Sequence, residues 1–159
     1  MTKALDLTAP VDTLAMEFTR DFDAPVEALY RAHAEPELLA QWLGPHGLEM
    51  EISEWEFRSH GGYRYSHRDA GGTYAFNGTF HTVRENEFIL QTFEFEGAPD
   101  MVNIEYLWFD DLGDGRSRLR GRSICPNTEA RDALLSSGME GGMTEGYDKL
   151  DAVLRTLQS

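Results

Sequence analysis

Apolar and polar residues alternate through the middle of this chain in the way that half-buried β-strands require. Six segments are rich in aromatic and β-branched residues: "LEMEISEWEF", "GYRYSHRD", "TYAFNGTFHTV", "EFILQTFEFE", "MVNIEYLWFDD" and "SRLRGRSI". Short turn sequences separate them, including Gly61-Gly62, Gly71-Gly72 and "LGDG". Because connections this short join neighbouring strands in antiparallel order, the pattern predicts an antiparallel meander.

The last predicted strand indicates which side of the sheet is covered. Arg118, Arg120 and Arg122 alternate there with small or apolar residues. Successive side chains of a strand face opposite sides of the sheet, so the arginine row marks a face in contact with water. The opposite face must then be covered by helices.

One strand and two short helices precede the meander. "AMEFTRDF" alternates as a strand does, and "DAPVEALYRAHA" has helical spacing, with Asp23 as the expected N-cap and Pro25 in the first turn. "EPELLAQWLGP" repeats this arrangement, because Pro36 lies near its start and Gly44-Pro45 ends it.

Two helices follow the meander. "NTEARDALLSSG" predicts a short helix, capped by Asn127 or Thr128 and ended by Gly138. The final segment, Gly138 to Ser159, has apolar residues at helical spacing. Its first half contains Gly138, Gly141, Gly142 and Gly146. Glycine inside a helix costs about 1 kcal/mol relative to alanine, so these glycines either leave room above a cavity or let the helix pack closely.

The order of these elements, β-α-α, then six strands, then a long helix, predicts an α+β protein with the helix-grip fold. In this fold a curved antiparallel sheet wraps around a long C-terminal helix. Residues 15–159 are expected to form this single domain. Residues 1–14 contain turn-forming residues and few apolar anchors, so we expect a loosely held N-terminal tail. A chain of 159 residues is long enough to bury one core.

The charge of the chain narrows the range of partners. It has 28 acidic and 14 basic residues, which gives a net charge of -14. A field of that sign repels phosphate groups, so we expect neither a nucleic acid nor a membrane as partner. The single cysteine, Cys125, excludes an internal disulfide. We also expect no signal peptide and no membrane span, which together predict a cytoplasmic location.

The sequence contains no known motif for catalysis, metal binding or cofactor binding. The five histidines include no HxH or HExxH pair and Cys125 has no close partner, so no metal is expected. His67 and His81 lie on predicted strands, where either could face the covered side as a general base or face solvent. There is no nucleophile elbow, phosphate-binding loop or dinucleotide fingerprint. The sequence therefore assigns no catalytic residue and no cofactor, and leaves enzyme activity open.

Several segments taken together resemble a known family. They are "FDAPVEALYRAHAEPELLAQWLGPHG", "GGYRY", "FNGTF" and "EARDALLSSGMEGGMTEGYDKLDAVL". These segments resemble the SRPBCC superfamily, whose fold is START-like. More narrowly, they resemble the single-domain bacterial homologues of the activator of the heat-shock-protein-90 ATPase. The resemblance extends from Glu17 to Leu157, and its most specific part is the combination of "WLGP" with the C-terminal "RD" and "GM" pairs.

The resemblance implies a cavity between the sheet and the long helix, where members of the superfamily hold an apolar small molecule. The residues favour the same interpretation, because flexible methionines and aromatic side chains are typical of ligand pockets. The alternative is that they fill an ordinary core. The predicted ligand-binding residues are Trp42, Trp55, Phe57, Tyr65, Phe76, Phe80, Phe93, Tyr106, Trp108, Met139, Gly142, Met143 and Gly146.

Three functions follow from the sequence and the resemblance. The first, which we predict, is binding of a small hydrophobic ligand in this cavity. The second is regulation of a chaperone ATPase, which only the family's name suggests. The eukaryotic activators use this domain alongside a separate chaperone-binding domain, and a chain of 159 residues has no room for one. The third is a polyketide-cyclase-like enzyme that uses the same cavity. A homodimer and a chaperone partner are both compatible with the sequence.

Overall fold

Eight β-strands form one antiparallel sheet in the computed structural model, which describes residues 4–158. They are β1 (Asp6–Thr8), β2 (Ala15–Phe22), β3 (Glu49–Trp55), β4 (Gly62–Asp69), β5 (Gly72–Arg84), β6 (Phe88–Phe95), β7 (Asn103–Gly113) and β8 (Arg116–Ile124). Within the same residues the helices are α1 (Val26–Ala34), α2 (Pro36–Leu39), α3 (Thr128–Ser136) and α4 (Met139–Leu157). The strand order is β1-β2-β8-β7-β6-β5-β4-β3, so β3 to β8 form the predicted meander and β2 pairs with its last strand. The predicted helix-grip fold is confirmed.

The N-terminal segment contributes an edge strand that the sequence analysis did not predict. Asp6–Thr8 pairs antiparallel with residues 17–19 of β2. This part of the expected tail is therefore held by the sheet. Three residues are too few to show an alternation of apolar and polar positions, so the pattern gave no signal. Residues 1–3 lie outside the described residues, and the division between residues 14 and 15 stays a prediction.

Two predicted helix caps can be compared with the structure, and one of them is wrong. The N-cap of α1 is Pro25, and no side chain accepts a hydrogen bond at this end. Asp23 lies too far upstream to cap a helix that begins at Val26, and its carboxylate pairs with Arg116 instead. At α3 the Oδ1 atom of Asn127 accepts a hydrogen bond of 2.8 Å from the amide of Ala130, so Asn127 is the cap.

The two faces of the sheet differ as the arginine row predicted. On β8, Leu119 is fully buried, whereas Arg118 and Arg120 lie on the opposite face. There they form ion pairs with Asp21 of β2 and Asp110 of β7, the neighbouring strands on either side. The inner face is covered by α1 and by α4.

The C-terminal half of α4 is fixed firmly against the inner face. Leu150, Val153 and Leu154 are buried in the core. Beside them, the buried guanidinium of Arg20 donates hydrogen bonds of 3.0 and 2.8 Å to the two carboxylate oxygens of Asp151. No helix within residues 4–158 is long and apolar enough to cross a membrane.

Candidate functional site

A cavity of about 390 Å³ lies between the inner face of the sheet and the N-terminal half of α4. Its walls come from residues of all eight strands, of the helices α1 to α4 and of the loop that follows α2. A volume in the range of about 300–1,000 Å³ is usual for small-molecule sites. The cavity is therefore large enough for a compact organic molecule.

Most of the cavity wall is apolar because the polar atoms of its tryptophans are already bonded elsewhere. The indole N–H of Trp42 donates to the carbonyl of Ala32 at 3.0 Å, and that of Trp55 donates to the carbonyl of Ala34 at 2.8 Å. Both carbonyls belong to α1. The two indole rings therefore present carbon surface to the cavity, and aromatic rings of the neighbouring strands extend this surface: Phe57, Tyr63, Tyr65, Phe76, Phe80 and Phe93.

All the predicted ligand-binding residues except Trp108 line the cavity. Trp108 lies on the outer face, where the guanidinium of Arg120 stands 5.0 Å from its ring centroid. Tyr106 is part of the cavity wall, but its ring stacks on that of Trp108 with centroids 5.6 Å apart, so the ring too belongs to the outer face. β7 carries aromatic residues at successive even positions on the outer side, and for this reason aromatic content did not identify its inner face. Contact with a ligand stays a prediction for every wall residue.

Gly142 and Gly146, the two glycines that α4 contributes to the cavity wall, are glycines for different structural reasons. A Cβ atom at Gly142 would meet only Pro45, at 3.9 Å, so that position does leave room beside the cavity. A Cβ atom at Gly146 would lie 3.2 Å from the carbonyl oxygen of Trp42 and 3.5 Å from the amide nitrogen of Gly44. The interpretation of Gly146 as a space-leaving residue is therefore wrong. It allows close approach of α4 to the chain around residues 42–44.

The structure adds a polar end to the cavity that the sequence analysis missed. Glu105 of β7 lies on the inner face, and Gln91 of β6 donates a hydrogen bond of 3.0 Å to its Oε1 atom. Burial raises the pKa of Glu105, and the hydrogen bonds from Gln91 and Ser123 act against that shift. The signal was present in the sequence, because Glu105 shares its strand face with Leu107 and Phe109. A carboxylate at an inner position is a candidate functional group.

Three tyrosines from β4 and α4 accompany this carboxylate in the cavity wall. They are Tyr63, Tyr65 and Tyr147. Burial, and secondly the charge of Glu105, raises the pKa of each of their hydroxyl groups. The hydroxyls therefore stay protonated across the physiological range, as hydrogen-bond donors.

The position of Tyr63 depends on a glycine. Its hydroxyl donates a hydrogen bond of 2.6 Å to the carbonyl of Thr92. A Cβ atom at Gly78 would lie 2.1 Å from that carbonyl oxygen and 2.6 Å from the tyrosine hydroxyl. Any larger residue at position 78 would occupy the space of this hydrogen bond.

Two histidines of the wall are neutral. The Nδ1 atom of His33 lies 2.8 Å from the carbonyl of Leu29, and burial lowers the pKa of this imidazole to about 4. Burial and the positive charge of Lys149 lower the pKa of His67. The buried Nδ1 atom of His67 has no hydrogen-bond partner within residues 4–158. His81 does not line the cavity; its exposed ring contacts the hydroxyl of Thr82.

Within residues 4–158, no group of three or more histidine, cysteine or carboxylate side chains is arranged to hold a metal ion.

Comparison with solved structures places this architecture among bacterial proteins. A crystal structure from Rhodobacter sphaeroides is 25% identical, with a TM-score of 0.86, and the match covers 96% of this chain and 99% of that one. A solution structure from Arthrobacter aurescens is 24% identical, with a TM-score of 0.85 and coverage of 95% and 91%. A crystal structure of a protein from Mycobacterium smegmatis is 24% identical, with a TM-score of 0.85 and coverage of 95% and 97%.

Comparison of sequences gives the family. No curated protein matches the chain significantly. The sequence model of one family, described as activator of Hsp90 ATPase homolog 1-like protein, matches residues 23–155, which is most of the chain. Together with the helix-grip fold, this match shows that the chain belongs to the activator of Hsp90 ATPase homolog 1-like family.

Proposed function

We propose that this protein binds a small, mainly apolar molecule in the cavity between the sheet and α4. The observation that carries the proposal is a cavity of about 390 Å³ in a wall of aromatic and thioether side chains. A protein interior is normally close-packed, with few voids larger than a water molecule. An apolar cavity of this size forgoes many packing contacts, and a ligand would restore them.

The charges around the cavity favour neutral ligands over anions. Glu105 would repel a ligand carboxylate or phosphate from the polar end. The nearby arginines are engaged elsewhere, since Arg20 is bonded to Asp151 and Arg122 is paired with Glu17 on the outer face. Lys149, whose charge acts on His67, is not part of the cavity wall, so an anion beside Glu105 would lack a cationic partner, and burying an unpaired charge is unfavourable.

Displacement of a neutral solvatochromic dye, Nile red, would test this function. We expect octanol to displace the dye at concentrations about 10-fold lower than octanoate does, which corresponds to about 1.4 kcal/mol. Native mass spectrometry of protein purified from its own host should show a co-purifying apolar molecule. The proposal fails if the dye does not bind, or if octanoate or a dicarboxylate displaces it better than every neutral compound.

A matched pair of variants on α4 would locate the site. Met143 lines the cavity and Thr144, the next residue, is exposed. Met143→Trp should fill part of the cavity and weaken dye binding by about 10-fold. Thr144→Trp adds the same side chain outside the cavity and should leave dye binding unchanged. Equal effects of the two variants would contradict the location.

The expected cellular location and binding partners are also proposals. The charge of -14 supports the absence of nucleic-acid and anionic membrane partners. The free, buried thiol of Cys125 is in keeping with a reducing, cytoplasmic location. A homodimer and a chaperone partner stay predictions.

A further inference from the structure

We propose that the ligand is an apolar molecule that carries one protonated amino group, and that Glu105 binds this group at the polar end of the cavity. This inference rests on the proposed function and specifies the chemical class of the ligand. It starts from the contrast between the inward-facing carboxylate of Glu105 and a mainly apolar wall.

The side chain of Glu105 is directed into the cavity. It belongs to the inner face of β7, opposite to the ring of Tyr106, and it lines the cavity together with Leu107. Glu105 lies deep in the protein, yet it keeps a partly accessible surface. Because the surrounding strands and α4 separate it from bulk solvent, that accessible surface opens onto the cavity.

Glu105 lacks a cationic partner of its own. Within residues 4–158, no lysine, arginine or histidine forms an ion pair with it. Its hydrogen bonds come from neutral groups, the amide of Gln91 and the hydroxyl of Ser123. Buried carboxylates are ordinarily paired with a cation or bound to a metal. A ligand ammonium group would supply the missing charge.

The neighbouring groups suit a cation. The electron-rich faces of tyrosine rings attract cations, and Tyr63, Tyr65 and Tyr147 line the same cavity. The charge of Glu105 acts on all three hydroxyl groups, so the carboxylate lies within electrostatic reach of each.

Three matched probes separate charge from apolar contact. They share the naphthalene ring: 1-naphthylmethylamine as the cation, 1-naphthalenemethanol as the neutral compound and 1-naphthoate as the anion. Isothermal titration calorimetry with the full chain should give a Kd for the amine that is about 10-fold lower than for the alcohol, as expected for a charge-assisted hydrogen bond. The naphthoate should bind most weakly.

A matched pair of variants assigns this preference to one residue. Glu105→Gln keeps the size of the side chain and removes its charge. It should bring the amine's Kd to within about 3-fold of the alcohol's. Glu51→Gln removes an equivalent charge at an exposed position of β3 and should leave all three values unchanged.

The outcomes distinguish this inference from the function on which it rests. If the alcohol binds and the amine binds no more tightly to the unmodified chain, the amine proposal is overturned and the apolar site stands. The same conclusion follows if Glu105→Gln retains the preference for the amine. If neither the naphthyl probes nor octyl compounds bind, the apolar site itself is contradicted, and the amine proposal falls with it. The comparison on the unmodified chain does not depend on whether the variant folds.

Discussion

At the scale of single residues, the placement of Glu105 is unfavourable to folding. Its carboxyl lies among aromatic side chains, and burial raises its pKa. An ionised group in such a place is less well solvated than in the unfolded chain, and hydrogen bonds from Gln91 and Ser123 only partly replace water. A position that opposes stability in this way is characteristic of binding sites.

Replacing Glu105 by glutamine should therefore stabilise the unliganded protein at pH 7, by about 1–3 kcal/mol. The direction of the pH dependence follows from the raised pKa. Below the ordinary range of a glutamic acid the carboxyl is protonated in both states and adds no penalty. The penalty develops between the ordinary pKa of a glutamic acid, at which the unfolded chain loses the proton, and the raised pKa of the folded state, so the advantage of Glu105→Gln should grow from pH 4 to pH 7.

Urea unfolding of both proteins at these two pH values would measure the difference. Glu51→Gln, at an exposed site, should change the free energy of unfolding by less than about 0.5 kcal/mol. A destabilised Glu105→Gln variant at pH 7 would contradict this reasoning.

Two glycines of α4 should respond in opposite ways to the same substitution. Gly146→Ala places a methyl group 3.2 Å from the carbonyl oxygen of Trp42, and we expect a loss of about 1–3 kcal/mol. Gly141 has no neighbour within 4 Å of a Cβ atom, so Gly141→Ala should gain about 0.5–1 kcal/mol through helix propensity alone. Thermal unfolding of the two variants measures both effects. Equal shifts in Tm would show that close packing at position 146 is not the reason for its glycine.

At the scale of elements, α4 has two halves with different surroundings. Its C-terminal half buries Leu150, Val153 and Leu154 in the core. Its N-terminal half begins at Met139 and lies over the cavity. Neighbouring α3 has no buried residue at all, although Leu134 reaches the cavity wall. The C-terminal half holds α4 in place, whereas the N-terminal half and α3 face the cavity.

The anchor of the firm half is Arg20, and its removal should be costly. Arg20→Ala loses the hydrogen bonds to Asp151 and the contact of the guanidinium with the Phe22 ring, at 4.7 Å. Because Arg20 is buried, we expect the free energy of unfolding to fall by about 2–4 kcal/mol. Its second ion-pair partner, Asp148, is exposed enough to be hydrated after the substitution, which limits the loss. Arg118→Ala breaks a more exposed pair on the outer face and should cost less than about 1 kcal/mol. Similar losses in urea unfolding would contradict the anchoring role.

At the scale of the whole molecule, the arginines of the outer face are balanced within the sheet. The side chains of Arg118, Arg120 and Arg122 pair with carboxylates of β2 and β7. The excess of acidic residues is therefore not offset by an unpaired basic stripe along β8. The molecule should present a predominantly negative field to its surroundings.

This field leads to a prediction about polyanions. Fluorescence anisotropy with a DNA duplex and co-sedimentation with phosphatidylserine vesicles should show no binding in the micromolar range at physiological salt. Lowering the salt concentration should not create binding, because repulsion between like charges becomes stronger when screening is reduced. Submicromolar binding to either polyanion would contradict this view of the surface.

The fold was predictable because its signals are local and repeated. Alternation along β3 to β8, short turns between them and one long C-terminal helix leave few ways to pair the strands. The arginine row of β8 also predicted correctly which face meets water. The strand β1 was missed because three residues are too few to show an alternation of apolar and polar positions. The N-cap of α1 was predicted wrongly because Asp23 lies upstream of Pro25, the residue that directly precedes the first helical residue Val26.

By itself, then, the sequence determined the fold, the family resemblance and most of the cavity wall. Only the tertiary structure decided that Trp108 faces outward and that Gly146 lies against the backbone of residues 42–44. It also placed Glu105 at the end of the cavity beside Gln91. The physical reason is that periodicity follows the chain in one dimension. Which face of an aromatic strand is buried, and which distant groups meet, depends on contacts across strands and between helix and sheet.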